Sequence, residues 1–363
     1  RLKEIDERFT ELTKLACYFL AVSEKGAAGD FLENGRQLFV AAGLYAIERG
    51  DPTIGEILRI ITRGSNKKKA YTNIAEVTRL AVVRRIFTDF ASMNDRTLTS
   101  TISVLNSAGL NLWNNPKIDR VTRQNDFSFS DLRKSPQSIY IVANSDDIKP
   151  LAPLIRLLFG ELVATLRSSL PDPETEPWPV MIMLDEFDQL GAMPVLVQSL
   201  KQLAGHGARV SIITQSIPGL DKIYDENDRL TIESSAGMKL YLSANDRKTA
   251  GEVSENLGKT TRMSVSDSLS KDNLLLSRRS VSRRNEERPL LSADEVRRLS
   301  PDQVILVPER QNPVLAKRIV YYQDPKFMRI VAAQVGDLPY PKKDLVPEVV
   351  MVAENEKPRE NDG

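Results

Sequence analysis

The chain has 363 residues, enough for roughly two or three domains of about 150 residues each. Hydrophobic residues make up 41% and charged residues 27%, which is typical of a soluble globular protein. Lys and Arg number 50 and Asp and Glu 49, so the net charge is +1 and the composition gives no overall sign of a nucleic-acid binder. Local basic patches remain compatible with this balance.

The single cysteine, Cys17, and the single histidine, His206, limit the chemistry that the side chains can perform. One thiol forms no internal disulfide and no cysteine-based zinc site, which suggests a reducing compartment. A Ser-His-Asp triad or a histidine metal site would have to use His206, in a Gly-rich turn. No run reaches the roughly 18 apolar residues of a membrane helix, and no signal peptide is visible. The sequence begins at Arg1 inside a helical pattern, so we expect a longer protein.

Residues 1–128 show mainly the periodicity of amphipathic helices. Two apolar stripes with this spacing consist of Leu12, Leu15, Ala16 and Phe19, and of Phe31, Leu38, Ala42 and Tyr45. Thr53 and Glu56 have the spacing of a capping box at the start of a helix. A basic loop is predicted at 67–69, with another helix after it. The Asn- and Pro-rich segment 110–126 is predicted to lead out of this helical part.

From about residue 129, predicted strands alternate with predicted helices. The strands are predicted at 138–144, 180–184, 209–214 and 239–244, and the helices at 150–169, 195–204 and 246–258. This alternation predicts a parallel sheet with helices on both faces. The segment 265–287 is polar, Ser-rich and basic, and we expect a surface hairpin or a mobile loop there. Residues 336–363 are rich in Pro and charge, and we expect a largely disordered tail.

The strand predicted at 180–184 runs directly into two carboxylates, Asp185 and Glu186. Ligands of open parallel sheets bind beyond the carboxyl ends of the strands. There, the first acid can hold Mg²⁺ through water and the second can activate the water that attacks a γ-phosphate, as in a Walker B element. The alternative is a strand that ends in a solvent-exposed turn. The next strand favours the nucleotide interpretation, because it ends in Thr214 and Gln215, and a Gln there can reach the γ-phosphate.

The loop that would hold the phosphates is absent from this sequence. A P-loop needs G-x-x-x-x-G-K-[S/T], because consecutive backbone N–H groups wrap the phosphates and the Lys reaches them. The only Gly-Lys-Thr is at 258–260, where the first Gly of the motif would fall on Val253, and the stretch follows a helix rather than a strand. We therefore interpret Gly258 as a helix C-cap.

Six stretches in a fixed order carry a resemblance to a known family. They are LAPLIRLLFGEL, MLDEFDQLG, AGHGARVSIITQS, NDRKTAGEVSENLGKTT, ERPLLSADEV and KRIVYYQD. Together they resemble the VirD4/TraG type IV secretion coupling proteins, the hexameric ATPases of conjugation and effector export. The resemblance covers about residues 38–322 and is greatest to the TraG branch.

The resemblance implies an α/β fold: a RecA-like P-loop NTPase with a parallel sheet flanked by helices, plus an all-α domain. Residues 1–128 then correspond to the all-α domain, a substrate- and DNA-recognition insertion. Residues 129–335 correspond to the second part of the nucleotide-binding domain, with its Walker B element, and 336–363 to the tail. The membrane helices, the P-loop and the first strands of this family would precede Arg1. We therefore expect this chain alone to be inactive.

The same resemblance assigns roles in a site for ATP and Mg²⁺. Asp185 is implied to hold Mg²⁺ through water and, with Thr214, to bind the nucleotide. Glu186 is implied to be the catalytic base and Gln215 the γ-phosphate sensor. Many members have an Arg, suited to act across a subunit boundary, before a Gly-aromatic-Gly turn.

Here Ala204 occupies that arginine position, and the turn after it is Gly205-His206-Gly207. Arg209 is the nearest candidate for an arginine finger, and Arg229 and Arg247 are further guanidinium groups in the same part of the chain. His206 stands where other members have an aromatic residue, and we expect a packing or pore-turn role for it.

Basic residues in two places are candidate DNA contacts, although a solvated face is the ordinary explanation of such runs. They are Lys67, Lys68 and Lys69 in the all-α part, and Arg278, Arg279, Arg283 and Arg284 in the polar segment. Contacts of this kind to phosphates are independent of base sequence and sensitive to salt, which suits a translocase. We expect Trp113 to be a packing anchor rather than a base-stacking platform.

The resemblance thus implies the cytoplasmic part of a hexameric DNA- and protein-translocating ATPase at the bacterial inner membrane. Its implied partners are relaxase-bound DNA or protein effectors, other components of the secretion channel, and the membrane through helices upstream of Arg1. The competing hypothesis is a non-catalytic receptor or scaffold without nucleotide turnover. A strand and a complete P-loop before Arg1 would favour the enzyme.

Overall fold

The computed structural model describes residues 5–21, 27–242, 244–270 and 278–334. Its first part is helical. The described residues up to 121 form α1 (Ile5–Phe19), α2 (Ala27–Glu48), α3 (Ile54–Thr62), α4 (Lys67–Val77), α5 (Ala81–Ser92), α6 (Asp95–Ser107), a 3₁₀ helix (Leu110–Asn114) and α7 (Pro116–Val121). Their apolar faces share one core, in which the largest fully buried side chains include Phe19, Phe39, Tyr71, Phe87 and Phe90.

The predicted helical stripes face this core. Leu12, Ala16 and Phe19 of α1 are buried, and Thr53 caps α3 by accepting a hydrogen bond from the Glu56 backbone N–H. The stretch 67–69 is not a loop, as the sequence had indicated, but the first turn of α4. Asn66 explains the difference, because its side chain caps this helix and lets the lysines begin it.

Trp113 is a packing anchor, as expected. Its side chain is buried, and its ring meets that of Phe19 edge to face, with the centroids 5.5 Å apart. The indole Nε1 donates a hydrogen bond to the Thr122 hydroxyl over 2.9 Å. The one polar atom of the ring is therefore satisfied inside the protein, and its face is not free to stack on a base.

Helix α8 (Ser145–Arg167) links the helical part to the rest of the chain. Leu154 packs against the first core, whereas Leu162 contributes to the second core. The Arg156 guanidinium donates a hydrogen bond to the Phe19 carbonyl at the end of α1, over 3.1 Å. Gly160 lets α8 approach α1 closely, since a Cβ at this position would lie 2.6 Å from Tyr18 side-chain atoms.

A β-α-β unit follows. Strand β1 (Val180–Leu184) pairs in parallel with β2 (Ala208–Ile212), and α9 (Pro194–Leu203) connects them. Along β1, Val180, Ile182 and Leu184 are buried in the second core, whereas Met181 and Met183 are exposed. After β2 come α10 (Ile217–Asp221) and α11 (Glu226–Ser234).

Two predicted strands do not join this parallel pair. The stretch 239–244 contributes β3 (Met238–Tyr241), which lies antiparallel to β6 (Gln303–Pro308); β7 (Val314–Lys317) completes this separate sheet. The stretch 138–144 forms no strand, and the side chains of Tyr140 and Val142 are 85% and 89% exposed. A strand is stable only with a neighbour to bond, and no described strand pairs with this segment.

The polar segment forms a hairpin, the first of the two predicted alternatives. Strand β4 (Lys259–Ser270) pairs antiparallel with β5 (Arg278–Pro289). Helix α12 (Arg247–Leu257) ends at Gly258, which has a φ of +80°. Gly258 is thus the predicted C-cap, and Lys259-Thr260 begin a strand instead of a helix. Helices α13 (Ala293–Arg297) and α14 (Pro325–Ala332) complete the described chain, and the predicted tail at 336–363 lies outside the described residues.

A buried arginine holds α10, α11 and α12 together. The Arg229 side chain is 4% exposed and bonds the carboxylates of Asp221 at 2.8 Å, Glu233 at 2.5 Å and Glu252 at 3.0 Å. Lys248 also bonds Asp221, at 2.6 Å, and this contact lowers the pKa of the Asp221 carboxyl. Burial raises the pKa of Glu252, because the charged carboxylate loses water there.

Gly160→Ala should lower the free energy of unfolding by about 1–3 kcal/mol, because the new methyl group forces α8 away from α1. Gly251→Ala in α12 is the matched control, since nothing lies within 4 Å of a Cβ there. The control should gain about 0.5–1 kcal/mol from helix propensity alone. Urea unfolding of both variants tests the close approach, which equal effects at the two positions would contradict.

Arg229→Met should cost about 3–5 kcal/mol at pH 7, because three carboxylates lose their shared cation. The loss should shrink toward pH 5. Without the cation the native carboxylates bind protons more readily than the unfolded chain, so the stability of the variant falls as the pH rises. Arg247→Met, at an exposed arginine with no ion pair to a described residue, should stay within about 0.5 kcal/mol of the parent. Thermal melting at both pH values provides the measurement, and a pH-independent loss would refute the charge argument.

Candidate functional site

Backbone pairing continues past the ends of β1 and β2. The Ile213 N–H donates to the Leu184 carbonyl, and the Phe187 N–H donates to the Ile213 carbonyl, each over 2.9 Å. Asp185 and Glu186 are the two residues that these bonds enclose. The predicted acidic pair therefore lies at the carboxyl end of the parallel strands, directly beside the segment that continues into Thr214 and Gln215.

Glu186 has an unusual backbone conformation. Its φ of 49° and ψ of 47° place it in the left-handed region, where among the described non-glycine residues only Arg310 also has a positive φ. This conformation costs a residue with a Cβ roughly 1–2 kcal/mol. The Glu186 N–H donates to Asp185 Oδ1 over 3.1 Å. Strain of this kind concentrates at functional sites, where the surrounding structure maintains it.

Phe187 maintains the turn. Its side chain is fully buried and stacks on the Tyr224 ring, with the centroids 5.4 Å apart and the planes within 10°. The Tyr224 hydroxyl accepts a hydrogen bond from the Met193 N–H at 3.1 Å and donates to the Gly191 carbonyl at 3.3 Å. Burial raises the pKa of this hydroxyl. Sequence reasoning missed this anchor, and the only local signal was an aromatic residue between two acids.

Asp188 is a third acid of the turn that sequence reasoning did not select. The Thr214 hydroxyl donates a hydrogen bond to Asp188 Oδ1 over 3.2 Å. Gly219 leaves room for the same carboxylate, since a Cβ there would lie 3.1 Å from Asp188 Oδ2. Thr214, predicted to bind nucleotide, is therefore oriented by Asp188 within the chain.

The side chains of Glu186 and Gln215 are free to meet a ligand. Glu186 is half-buried, Asp185 and Gln215 are exposed, and neither the Glu186 carboxylate nor the Gln215 amide bonds another described residue. The described residues hold no cluster of three or more His, Cys, Asp or Glu side chains that would cage a metal. Mg²⁺ in nucleotide sites needs only one or two carboxylates, with water and phosphate oxygens as the other ligands. Asp185 fits this requirement.

Arg209 lies at the other end of the sheet. It pairs in register with Met181, near the start of β1, which is roughly 13 Å along the strand from Asp185. Its Nη1 donates to the carbonyls of Ala204 and Ala208, over 3.0 and 3.1 Å. The structure therefore does not bring Arg209 to the acidic pair of its own chain.

The structure also shows the surroundings of Arg229, Arg247 and His206, the other residues that the sequence singled out in this part of the chain. Arg229 is buried among its carboxylates and has no freedom to act as a finger, whereas Arg247 is exposed at the start of α12. His206 Nδ1 lies 3.1 Å from the Ser169 carbonyl, and the turn ends at Gly207 with a φ of +73°. This contact suits the packing role expected for His206.

The candidate DNA-contacting side chains differ in whether they already bond other groups of the protein. Lys67 Nζ bonds the carbonyls of Thr62 and Gly64, and Lys68 pairs with Asp95 at 2.8 Å. Lys69 is exposed and forms no ion pair with a described residue. The four predicted arginines, Arg278, Arg279, Arg283 and Arg284, all lie on β5, and Arg283 is exposed.

Within the described ranges, no helix is long and apolar enough to cross a membrane.

Comparison with known proteins identifies the family. The model for type IV secretory system conjugative DNA transfer proteins matches residues 4–339. The VirD4 protein of Rhizobium rhizogenes is 34% identical over 336 residues, 93% of this chain and 50% of the relative. The VirD4 protein of Agrobacterium fabrum is 33% identical over 345 residues, 95% of this chain and 51% of the relative. The chain thus spans about half the length of these relatives.

The expectation of greatest similarity to the TraG branch is wrong. A conjugal transfer protein TraG of Escherichia coli is 27% identical over 275 residues, 68% of this chain and 43% of the relative. That is less than the 34% of the Rhizobium rhizogenes VirD4 protein, over a shorter stretch.

Solved structures of the coupling protein TrwB share the fold. The unbound monoclinic form of TrwB∆N70 has a TM-score of 0.65 and 19% identity, covering 87% of this chain and 68% of the TrwB∆N70 chain. TrwB with ADP and Mg²⁺ has a TM-score of 0.63 and 18% identity, covering 87% of this chain and 69% of TrwB. The predicted RecA-like fold, with parallel strands flanked by helices, is confirmed. The chain belongs to the VirD4/TraG family of type IV secretion coupling proteins.

Proposed function

We propose that the acidic turn after β1 is the catalytic half of an ATPase site that powers DNA transfer through a type IV secretion channel. The observation that carries the proposal is the turn itself: Asp185 and the strained Glu186 lie at the carboxyl end of parallel strands, beside the segment that leads to Gln215. This is where nucleotides bind in such sheets. The phosphate-binding loop would come from a segment outside these 363 residues.

Each side chain has a distinct role in this proposal. Asp185 would hold Mg²⁺ through water, and the ion, when bound, would supply positive charge against the phosphates. Glu186 accepts the proton of the attacking water, and Gln215 orients that water against the γ-phosphate. Asp188 and Thr214 position the segment that carries Gln215. Arg209 lies too far from its own acidic pair to contribute there, so any contribution from it would be to a neighbouring subunit.

The relatives support the cofactor and the cargo of this proposal. Solved TrwB structures are described as complexes with a non-hydrolysable ATP analogue and with ADP and Mg²⁺. The matching family model is described as conjugative DNA transfer. We extend these properties to the intact protein. We further propose that it is a hexamer on the cytoplasmic face of the bacterial inner membrane, held there by helices outside this chain.

The cargo side of the proposal concerns the helical part. We assign residues 1–128 to an all-α domain that recognises relaxase-bound DNA or protein effectors and hands them to other channel components. Residues 129–335 form the second part of the nucleotide-binding domain. A scaffold without turnover is the less favoured alternative, because it gives no reason for a left-handed Glu186 held by a buried aromatic pair.

In the intact protein, Glu186→Gln should retain bound nucleotide while turnover falls by roughly 10²–10⁴-fold, the usual contribution of a positioned general base. Asp185→Asn should weaken both Mg-ATP binding and turnover. Gln215→Ala should follow Glu186→Gln with a smaller loss. Glu255→Gln, at an exposed acid of α12, is the matched control and should leave turnover unchanged. ATPase rates and nucleotide affinities decide, and near-parental turnover in a folded Glu186→Gln protein would remove the assignment.

The 363-residue chain by itself should show negligible ATP hydrolysis, because its sequence holds no G-x-x-x-x-G-K-[S/T] loop to cradle phosphates. Phosphate release with Mg-ATP, compared with the intact protein, is the measurement. If the chain alone hydrolyses ATP and Glu186→Gln abolishes this activity, its own residues supply the phosphate-binding half of the site.

A further inference from the structure

A cleft of about 510 Å³ opens in the helical part, far along the chain from the acidic turn. Its walls come from the end of α2, the loop between α3 and α4, and the exposed side of α4. Its lining side chains include Arg49, Arg63, Lys69, Asn73 and Val77.

The charged side chains that line this cleft are all positive. Arg49, Arg63 and Lys69 line it, all three are exposed, and none forms an ion pair with a described residue. Among the described residues, no Asp or Glu lines it. Glu48, the acid next to Arg49, is already engaged, since its two oxygens accept hydrogen bonds from the Thr78 hydroxyl at 2.6 Å and the Arg79 N–H at 2.8 Å.

The carbonyl groups at the end of α3 do not offset this charge. Lys67 Nζ bonds the carbonyls of Thr62 and Gly64 and neutralises the negative end of that helix. Arg49 lies with its guanidinium carbon 5.8 Å from the centre of the buried Tyr45 ring. This packing holds the planar group at the cleft wall and leaves its N–H edges available to an anion.

Helix stability does not account for all three cations. Arg49 and Arg63 follow the C-termini of α2 and α3, where a positive charge complements the helix dipole. Lys69 lies in the first turn of α4, where a cation opposes the helix dipole and the turn itself contains no Asp or Glu. A bound anion would offset this unfavourable placement, because a negative charge attracts both the Lys69 ammonium group and the positive helix end.

We propose that this cleft binds the phosphodiester backbone of a nucleic acid strand, with Arg49, Arg63 and Lys69 contacting phosphate oxygens. The inference rests on the proposed function in DNA transfer and gives the all-α domain a defined contact site. Guanidinium groups match phosphate bidentately, and Asn73 adds an uncharged donor beside them. The site replaces the predicted run 67–69, of which only Lys69 is available.

The test compares two triple variants of the intact protein. The cleft variant carries Arg49→Gln, Arg63→Gln and Lys69→Gln. The control variant carries Arg85→Gln, Arg96→Gln and Lys117→Gln, which remove the same charge from exposed sites of the same helical part.

Fluorescence anisotropy with a fluorescein-labelled dT20 strand should show that the cleft variant loses affinity about 10-fold or more at 100 mM salt. Its slope of log affinity against log salt should be smaller by about 2, since each lost phosphate contact in a single strand contributes about 0.7. The control variant should bind within about 2-fold of the parent, with an unchanged slope.

A photo-crosslinker at Val77, which is 66% exposed at the cleft, locates the contact. It should capture dT20, and a crosslinker at the exposed Thr88 of α5 should not. Unlabelled dT20 should compete, whereas inorganic phosphate and a 20-residue polyglutamate at equal charge should not.

Four results would overturn the inference. In the binding assay, they are equal affinity of the cleft variant and the parent for dT20, or a cleft variant that melts at a lower temperature but binds dT20 as the parent does. In the other two assays, they are no crosslinking of dT20 at Val77, or competition by polyglutamate equal to that of dT20. ATP turnover of the parent in the same preparation separates this inference from the proposed function. Turnover without a contact at the cleft overturns the cleft alone, whereas absent turnover overturns the proposed function.

Discussion

The hydrogen bonds that carry the pairing of β1 and β2 past their last residues are the constraint on which the site depends. Because Leu184 and Phe187 both bond Ile213, the two residues between them must turn within a fixed backbone span. Glu186 satisfies that span by adopting a left-handed conformation, and the buried Phe187 ring prevents the turn from relaxing. The same pairing fixes where Gln215 begins, so one backbone feature sets the spacing of all the groups that we assign to catalysis.

Helix α8 transmits this arrangement to the helical part of the molecule. One side of it packs into the core behind β1, and the other contacts α1 through the narrow approach at Gly160. A helix that belongs to two cores cannot shift in one without disturbing the other, because packed interiors are not compressible. Helix α8 therefore connects the core behind the strands directly to the part that carries the basic cleft.

The cations of the molecule divide into those that the fold uses and those that it leaves available. Arg229 is committed to carboxylates that balance its charge, and Lys67 is committed to the carbonyls at the end of α3. Arg49, Arg63 and Lys69 have no such balance among the described residues. A chain with a net charge of +1 can thus present a cleft of one sign, because the compensating acids lie elsewhere.

What the sequence determined by itself is local: the helical stripes, the caps at Thr53 and Gly258, and the acids that end β1, all of which depend on neighbours a few residues apart. What only the tertiary structure decided depends on distant partners. Sequence periodicity placed 138–144 and 239–244 in one parallel sheet, yet the first has no described strand to pair with and the second bonds β6. The orientation of the acidic turn depends on Tyr224, which meets Phe187 through packing that no short stretch of sequence encodes.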